Sequence, residues 1–132
     1  MIGFVTLGTN DMTRAARFYD AVLAPLGAVR ALEIDGFASW AMPGVEPALL
    51  GGTAPALAVI APFDGQPATI GNGVMAAIAV NDNALVDELY ALAIANGATD
   101  EGGPGPRGDG SFYGAYFRDL DGNKLCVFRV AR

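Results

Sequence analysis

The chain has 132 residues, 52% hydrophobic and 17% charged, with a formal net charge of −6. This fits one globular domain that buries a core without staples, and the acidic balance argues against nucleic acid or anionic membrane, which call for clustered Lys and Arg. With no His and one Cys, Cys126, the chain cannot build a Ser-His-Asp triad, a Cys-His dyad, an HExxH zinc site, a CxxC centre or an internal disulfide.

Residues 2–7 form an apolar run of strand type, and Asn10-Asp11 after it supplies a helix cap. Ala15, Phe18, Tyr19, Val22 and Leu26 then recur at helical spacing on one face, with Gly27 as the terminating glycine and Pro25 breaking the helix just before it. Extended pieces are expected over 28–33, 37–42 and 56–61. Residues 62–73 (PFDGQPATIGNG) have linker composition.

The same pattern then repeats. Asn81-Asp82 matches Asn10-Asp11 and Tyr90 matches Tyr19 at an offset of 71, and Gly97-Ala98 matches Gly27-Ala28 at 70. A strand over 74–80 leads into a helix whose face carries Leu85, Val86, Leu89, Leu92 and Ala93. Strands are expected over 98–101, 112–118 and 124–130, with 102–110 as a loop and Asp121-Gly122-Asn123 as a hairpin turn. The reading is α+β: a single domain of two βαβββ modules, residues 1–61 and 74–132, joined by the linker 62–73.

Two such modules, with TNDMTRAARFYDAVLAPLGA in the first and YFRDLDGNKLCVF closing the second, resemble the vicinal oxygen chelate superfamily. That group includes glyoxalase I, bleomycin and fosfomycin resistance proteins and extradiol dioxygenases. The resemblance covers nearly the whole chain. It implies a curled mixed sheet around a concave site, a homodimer, and a divalent metal held by His or Gln on the first strand of each module and Glu on the last. Carried over residue by residue, those positions are Phe4, Met75 and Cys126. Between Glu46 and Asp64 there is no acidic residue to serve as a ligand on the fourth strand. Phe offers no ligand atom, Met sulfur is soft, and one Cys cannot complete a shell, so no family-type metal centre and no cofactor are expected. The three residues either fill the concavity or leave an apolar pocket for an organic ligand.

Other candidates are weaker. Gly103 to Gly108 fits GxGxxG, but two prolines occupy it and a strand follows, so it reads as a loop at the cavity mouth rather than a nucleotide loop. Arg107, the one cation there, suits capture of a carboxylate or phosphate or is simply solvated. Phe112, Tyr113, Tyr116 and Phe117 cluster, with Trp40 on the equivalent strand of the first module. Alternation puts Phe112, Gly114, Tyr116 and Arg118 on one face and Tyr113, Ala115 and Phe117 on the other. Asp64 in the linker reads as a turn former or a base near the site, and Asp119 and Asp121 as turn formers without the calcium-loop spacing. Cys126 on an apolar strand reads as inert.

The expected ligand-binding set is Phe4, Trp40, Met75, Arg107, Tyr113, Tyr116 and Cys126, with no metal ligand. The expected function is metal-independent small-molecule binding. The alternative is a lactoylglutathione lyase-type or other metal-dependent enzyme with non-standard ligands. One Cys, no long apolar segment and a start without a basic n-region lead to the expectation of a cytoplasmic protein.

Overall fold

Two aspartates set the plan of the molecule. Asp11 and Asp82 take extended backbone and accept from the amides of Arg14 and Leu85, opening helices α1 (Met12–Leu23) and α2 (Asn83–Ala95). The computed structural model describes residues 1–131. Strand β1 (Phe4–Gly8) precedes α1, and β2 (Val29–Ile34), β3 (Phe37–Ala41) and β4 (Ala56–Ile60) follow it. Strand β5 (Ala76–Ala79) precedes α2, and β6 (Thr99–Arg107), β7 (Phe112–Arg118) and β8 (Lys124–Val130) follow it. The internal repeat is therefore a repeat of βαβββ units. Pro25 lies in a single 3₁₀ turn, Ala24–Leu26, immediately after α1. Gly27 and Gly97 close the two helical segments at φ 76° and 100°, where a Cβ is disfavoured.

Each module makes its own four-stranded sheet, in the orders β1-β4-β3-β2 and β5-β8-β7-β6. The first strand pairs parallel with the last, and the other pairs are antiparallel. The sheets are not closed, so β1 and β5 are inner edges without a strand partner, with Asn123 meeting the β1 edge only at Gly8. The outer strands β2 and β6 each carry register shifts against their neighbours.

One hydrophobic cluster holds the modules together on the helix-bearing side of both sheets. Phe18, Tyr19, Val22 and Trp40 join Val86, Leu89, Phe117 and Val127 in it. Phe18 of α1 meets Phe117 of β7 edge-on, with ring centroids 6.4 Å apart. The Tyr19 hydroxyl donates to buried Asp119 at 2.6 Å, fastening α1 to the turn between β7 and β8. Asp119 also accepts from the amides of Asp121 and Asn123 and from Asn123 Nδ2. Asn123 Nδ2 in turn reaches the Gly8 carbonyl, and the Asn10 amide reaches Asp121. The linker is pinned where it passes, because Asn10 and Ala68 exchange two hydrogen bonds.

One element differs from expectation. Residues 102–107 are the outer half of strand β6, not a loop at a cavity mouth. Pro104 and Pro106 lack N–H groups, but β6 is an edge strand, where a missing donor is tolerated. Among the described residues no helix is long and apolar enough to cross a membrane.

Candidate functional site

Which face of each sheet is free follows from the core. Ala115 and Phe117 of β7 and Leu125 and Val127 of β8 belong to the cluster against the helices. Their neighbours in sequence therefore point to the opposite face. Register places Tyr116 opposite Cys126, Gly114 opposite Phe128, Arg118 opposite Lys124 and Arg107 opposite Phe112. Tyr116, Cys126, Phe112, Phe128 and three cations thus share the helix-free face of the second sheet.

Tyr116 is the centre of this face. The Arg107 guanidinium lies 5.6 Å from its ring centroid and the Lys124 ammonium 5.5 Å. Arg107 folds back along its own strand and donates to the carbonyls of Gly103, Gly105 and Pro106. A Cβ on Gly105 would sit 3.2 Å from its Nη1, so glycine leaves room for this fold-back. Beside Tyr116, the Phe112 and Phe128 rings stack at 5.1 Å and 6°. Gly114 makes space for that stack, since a Cβ there would meet Phe112 Cε1 at 2.6 Å.

Electrostatics follow from the geometry. Burial pushes the Cys126 thiol up, while the Tyr116 hydroxyl and then Arg107 and Lys124 pull it back. Burial raises Tyr116, and the neighbouring Cys126 adds to the rise. Arg118 is neutralised by Glu101 at 2.6 Å. Among the described residues, Arg107 and Lys124 form no ion pair.

The helix-free face of the first sheet is different in character. Phe4, Thr6 and Gly8 of β1 register with Ala56, Ala58 and Ile60 of β4. Phe37 and Ser39 of β3 register with Ile60 and Ala58. The Phe4 ring meets Phe37 edge-on at 6.5 Å. The face carries apolar groups and two hydroxyls, with no charge on these positions.

The structure divides the expected binding set. Tyr116, Cys126 and Arg107 come together on the helix-free face of the second sheet. Phe4 and Met75 are both exposed, at 45% and 43%, beside the free inner edges of different sheets. Trp40 and Tyr113 point the other way, a correction to their placement at the cavity. Trp40 is buried, 5.5 Å from the Tyr19 ring, and its Nε1 donates to Asp20 of α1. The Tyr113 hydroxyl donates to Asp87 of α2, so alternation along β7 sends it to the helix side. Asp64 accepts from the Gln66 amide in an exposed turn of the linker and meets no other part of the site.

Two features went unread in the sequence: Lys124 over the Tyr116 ring, and Phe128 as the stacking partner of Phe112. Both depend on the β7–β8 register. A separate cleft of about 210 Å³ lies between α1 and the β2–β3 hairpin, lined by Met12, Arg17, Arg30 and Phe37 among others.

The residues do not fit the metal that the fold family implies. Phe4 and Met75 supply no hard donor, and the one thiol stands between two cations that would repel a divalent ion. Among the described residues no three His, Cys, Asp or Glu side chains gather into a metal-holding group.

Comparison with known proteins agrees with this architecture. The Glyoxalase/Bleomycin resistance protein/Dioxygenase superfamily model matches residues 1–127. The crystal structure of a glyoxalase/bleomycin resistance protein from Albidiferax ferrireducens T118 is 35% identical, with 98% of each chain covered and a TM-score of 0.84. A glyoxalase/bleomycin resistance protein/dioxygenase family enzyme from Burkholderia phytofirmans PsJN is 19% identical over 97% of each chain, with a TM-score of 0.71. A lactoylglutathione lyase from Agrobacterium tumefaciens is 20% identical, over 98% of this chain and 92% of that one, with a TM-score of 0.65. The last two show likeness of fold alone. No curated protein matches the chain.

Proposed function

We propose, for a chain that belongs to the Glyoxalase/Bleomycin resistance protein/Dioxygenase superfamily, metal-independent binding of a small organic molecule on the helix-free face around Tyr116. The observation that carries this reading is the replacement set itself. Phe4, Met75 and Cys126 fall where the superfamily resemblance implies metal ligands, and Arg107 and Lys124 lie beside Tyr116, which is paired with Cys126 across the β7–β8 ladder. Aromatic carbon, a thiol and unpaired cations suit an organic molecule better than a divalent ion.

The face is open, and a second copy of the chain is the cover that completes it. The accessible surface is 7259 Å², against about 6,500 Å² for an average monomer of 13.5 kDa. That excess is close to the ~800 Å² each partner gives to a standard interface. Much of it is apolar and borders the free inner edges, at Phe4, Val5, Val74 and Met75. Pairing β1 of one copy with β5 of the other gives a two-fold contact made twice. It sets an uncharged face opposite the basic, aromatic one.

Thermal-shift measurements test the metal-free reading. Ni²⁺, Zn²⁺, Mn²⁺ and Fe²⁺ should leave Tm unchanged, while organic ligands raise it. About one metal ion per chain in protein purified without chelator would overturn it and restore the metal-dependent enzyme. Light scattering should give twice the 13.5 kDa chain mass, and Val5→Asp at the inner edge should return the monomer with its far-UV spectrum intact. A wild-type monomer that binds ligand would remove the second copy from the site.

A further inference from the structure

Within that small-molecule reading, we propose that the ligand is an organic carboxylate, its anionic end held at the Tyr116 ring by Arg107 and Lys124 and its apolar body laid on the Phe112–Phe128 stack. The charge pattern is the first argument. The chain has 14 acidic and 8 basic side chains, so cations have carboxylates in excess to choose from. Arg14 and Arg118 each take one and Arg30 takes two. Arg17, Arg107, Lys124 and Arg129 take none among the described residues, and of these Arg107 and Lys124 converge on one ring.

The donor count is the second. Arg107 makes three hydrogen bonds, all to carbonyls of its own strand. A guanidinium has five N–H groups, so at least two remain, Nε–H included, on a head already fixed in place. A pre-oriented fork binds a carboxylate with little further loss of side-chain freedom. Lys124 adds a second positive charge; it acts on Glu101 only through space, and Glu101 is ion-paired with Arg118.

The stack is the third argument. Phe112 and Phe128 offer a flat apolar surface on the same face, one ladder step from Tyr116. A bare inorganic anion leaves that surface unused. A carboxylate joined to a ring or short alkyl chain uses both.

The test is protein-observed NMR of the full chain, titrated with 3-phenylpropionate and with its neutral analogue 3-phenylpropan-1-ol. The carboxylate should shift the amides of Gly105, Tyr116, Lys124 and Cys126 and bind at least tenfold more tightly than the alcohol. Arg107→Gln and Lys124→Gln should each weaken the carboxylate about tenfold and leave the alcohol unchanged. Both positions are partly exposed and outside the core, and unchanged wild-type spectra elsewhere verify the fold of each variant. Equal binding of acid and alcohol at these amides would overturn the anion inference and leave the small-molecule reading standing. Shifts from neither compound at these amides would overturn both.

Discussion

Removal of the Asp119 carboxylate should cost this molecule more than any other single side-chain truncation outside the apolar core. Its two oxygens collect four donors: the Tyr19 hydroxyl, two turn amides and Asn123 Nδ2. Tyr19 is fully buried, and burial together with the Asp119 charge holds its hydroxyl protonated well above the usual phenol range. In Asp119→Ala the buried Tyr19 hydroxyl loses its acceptor, a penalty of about 1–3 kcal/mol, and the loss of charge-assisted bonds to the turn adds to it. The half-buried amides are reached by water, so the total is about 3 kcal/mol. Tyr19→Phe removes one charge-assisted bond and leaves the carboxylate three donors, a cost of about 1.5 kcal/mol. At roughly 3–4 °C per kcal/mol for a chain of this size, Tm should fall about 10 °C and about 5 °C respectively. The double variant decides the mechanism. Phe no longer strands a hydroxyl, so the pair should cost no more than Asp119→Ala alone. Urea midpoints with matched m-values measure all three. Additive losses, near 4.5 kcal/mol for the double variant, would falsify the claim that the two groups act as one buried unit.

Two further outcomes test other parts of the structure. Arg30, and then Trp40, donate to Asp20 and hold its carboxyl below the ordinary range. Its stabilising share is therefore complete above about pH 4 and is lost as pH falls through the lower folded value. The gap in urea midpoint between wild type and Asp20→Asn should stay constant from pH 7 to 5 and close below pH 4; a gap unchanged down to pH 2 would contradict this. Gly114→Ala should leave stability within about 1 kcal/mol, because the added methyl meets a displaceable ring and not backbone. It should nonetheless change the Phe112 aromatic resonances and weaken 3-phenylpropionate. Unaltered Phe112 resonances would show that the ring does not lie over Gly114.

The fold was legible because its signals are local and doubled. Asp11 and Asp82 cap helices, Gly27 and Gly97 end helical segments, and Phe18, Tyr19 and Val22 repeat at helical spacing before the first of them. The second half repeats these choices, so each half supports the other. The outer half of strand β6 was not legible. Glycine and proline ordinarily break strands, and only pairing with β7 reveals that 102–107 is an edge where both are permitted. The site was half legible. Period-two alternation separated Tyr116 from Tyr113, but which set faced the helices depended on tertiary packing of Ala115 and Phe117. Trp40 misled for the same reason, since an aromatic residue on a strand is equally at home against a helix. The Tyr19–Asp119 bond spans 100 residues and leaves no trace in any local window.

The four sheet margins are not alike. At β2 and β6 the ladder is out of step, and at β6 two prolines and the curled Arg107 deny a newcomer a regular row of partners. At β1 and β5 the ladder runs in step from end to end. Growth by strand addition is thus open on the inside and shut on the outside. Two molecules that meet through their inner margins use up every receptive border they have. Under the proposed pairing of β1 with β5, assembly would stop at a pair instead of running on into a filament.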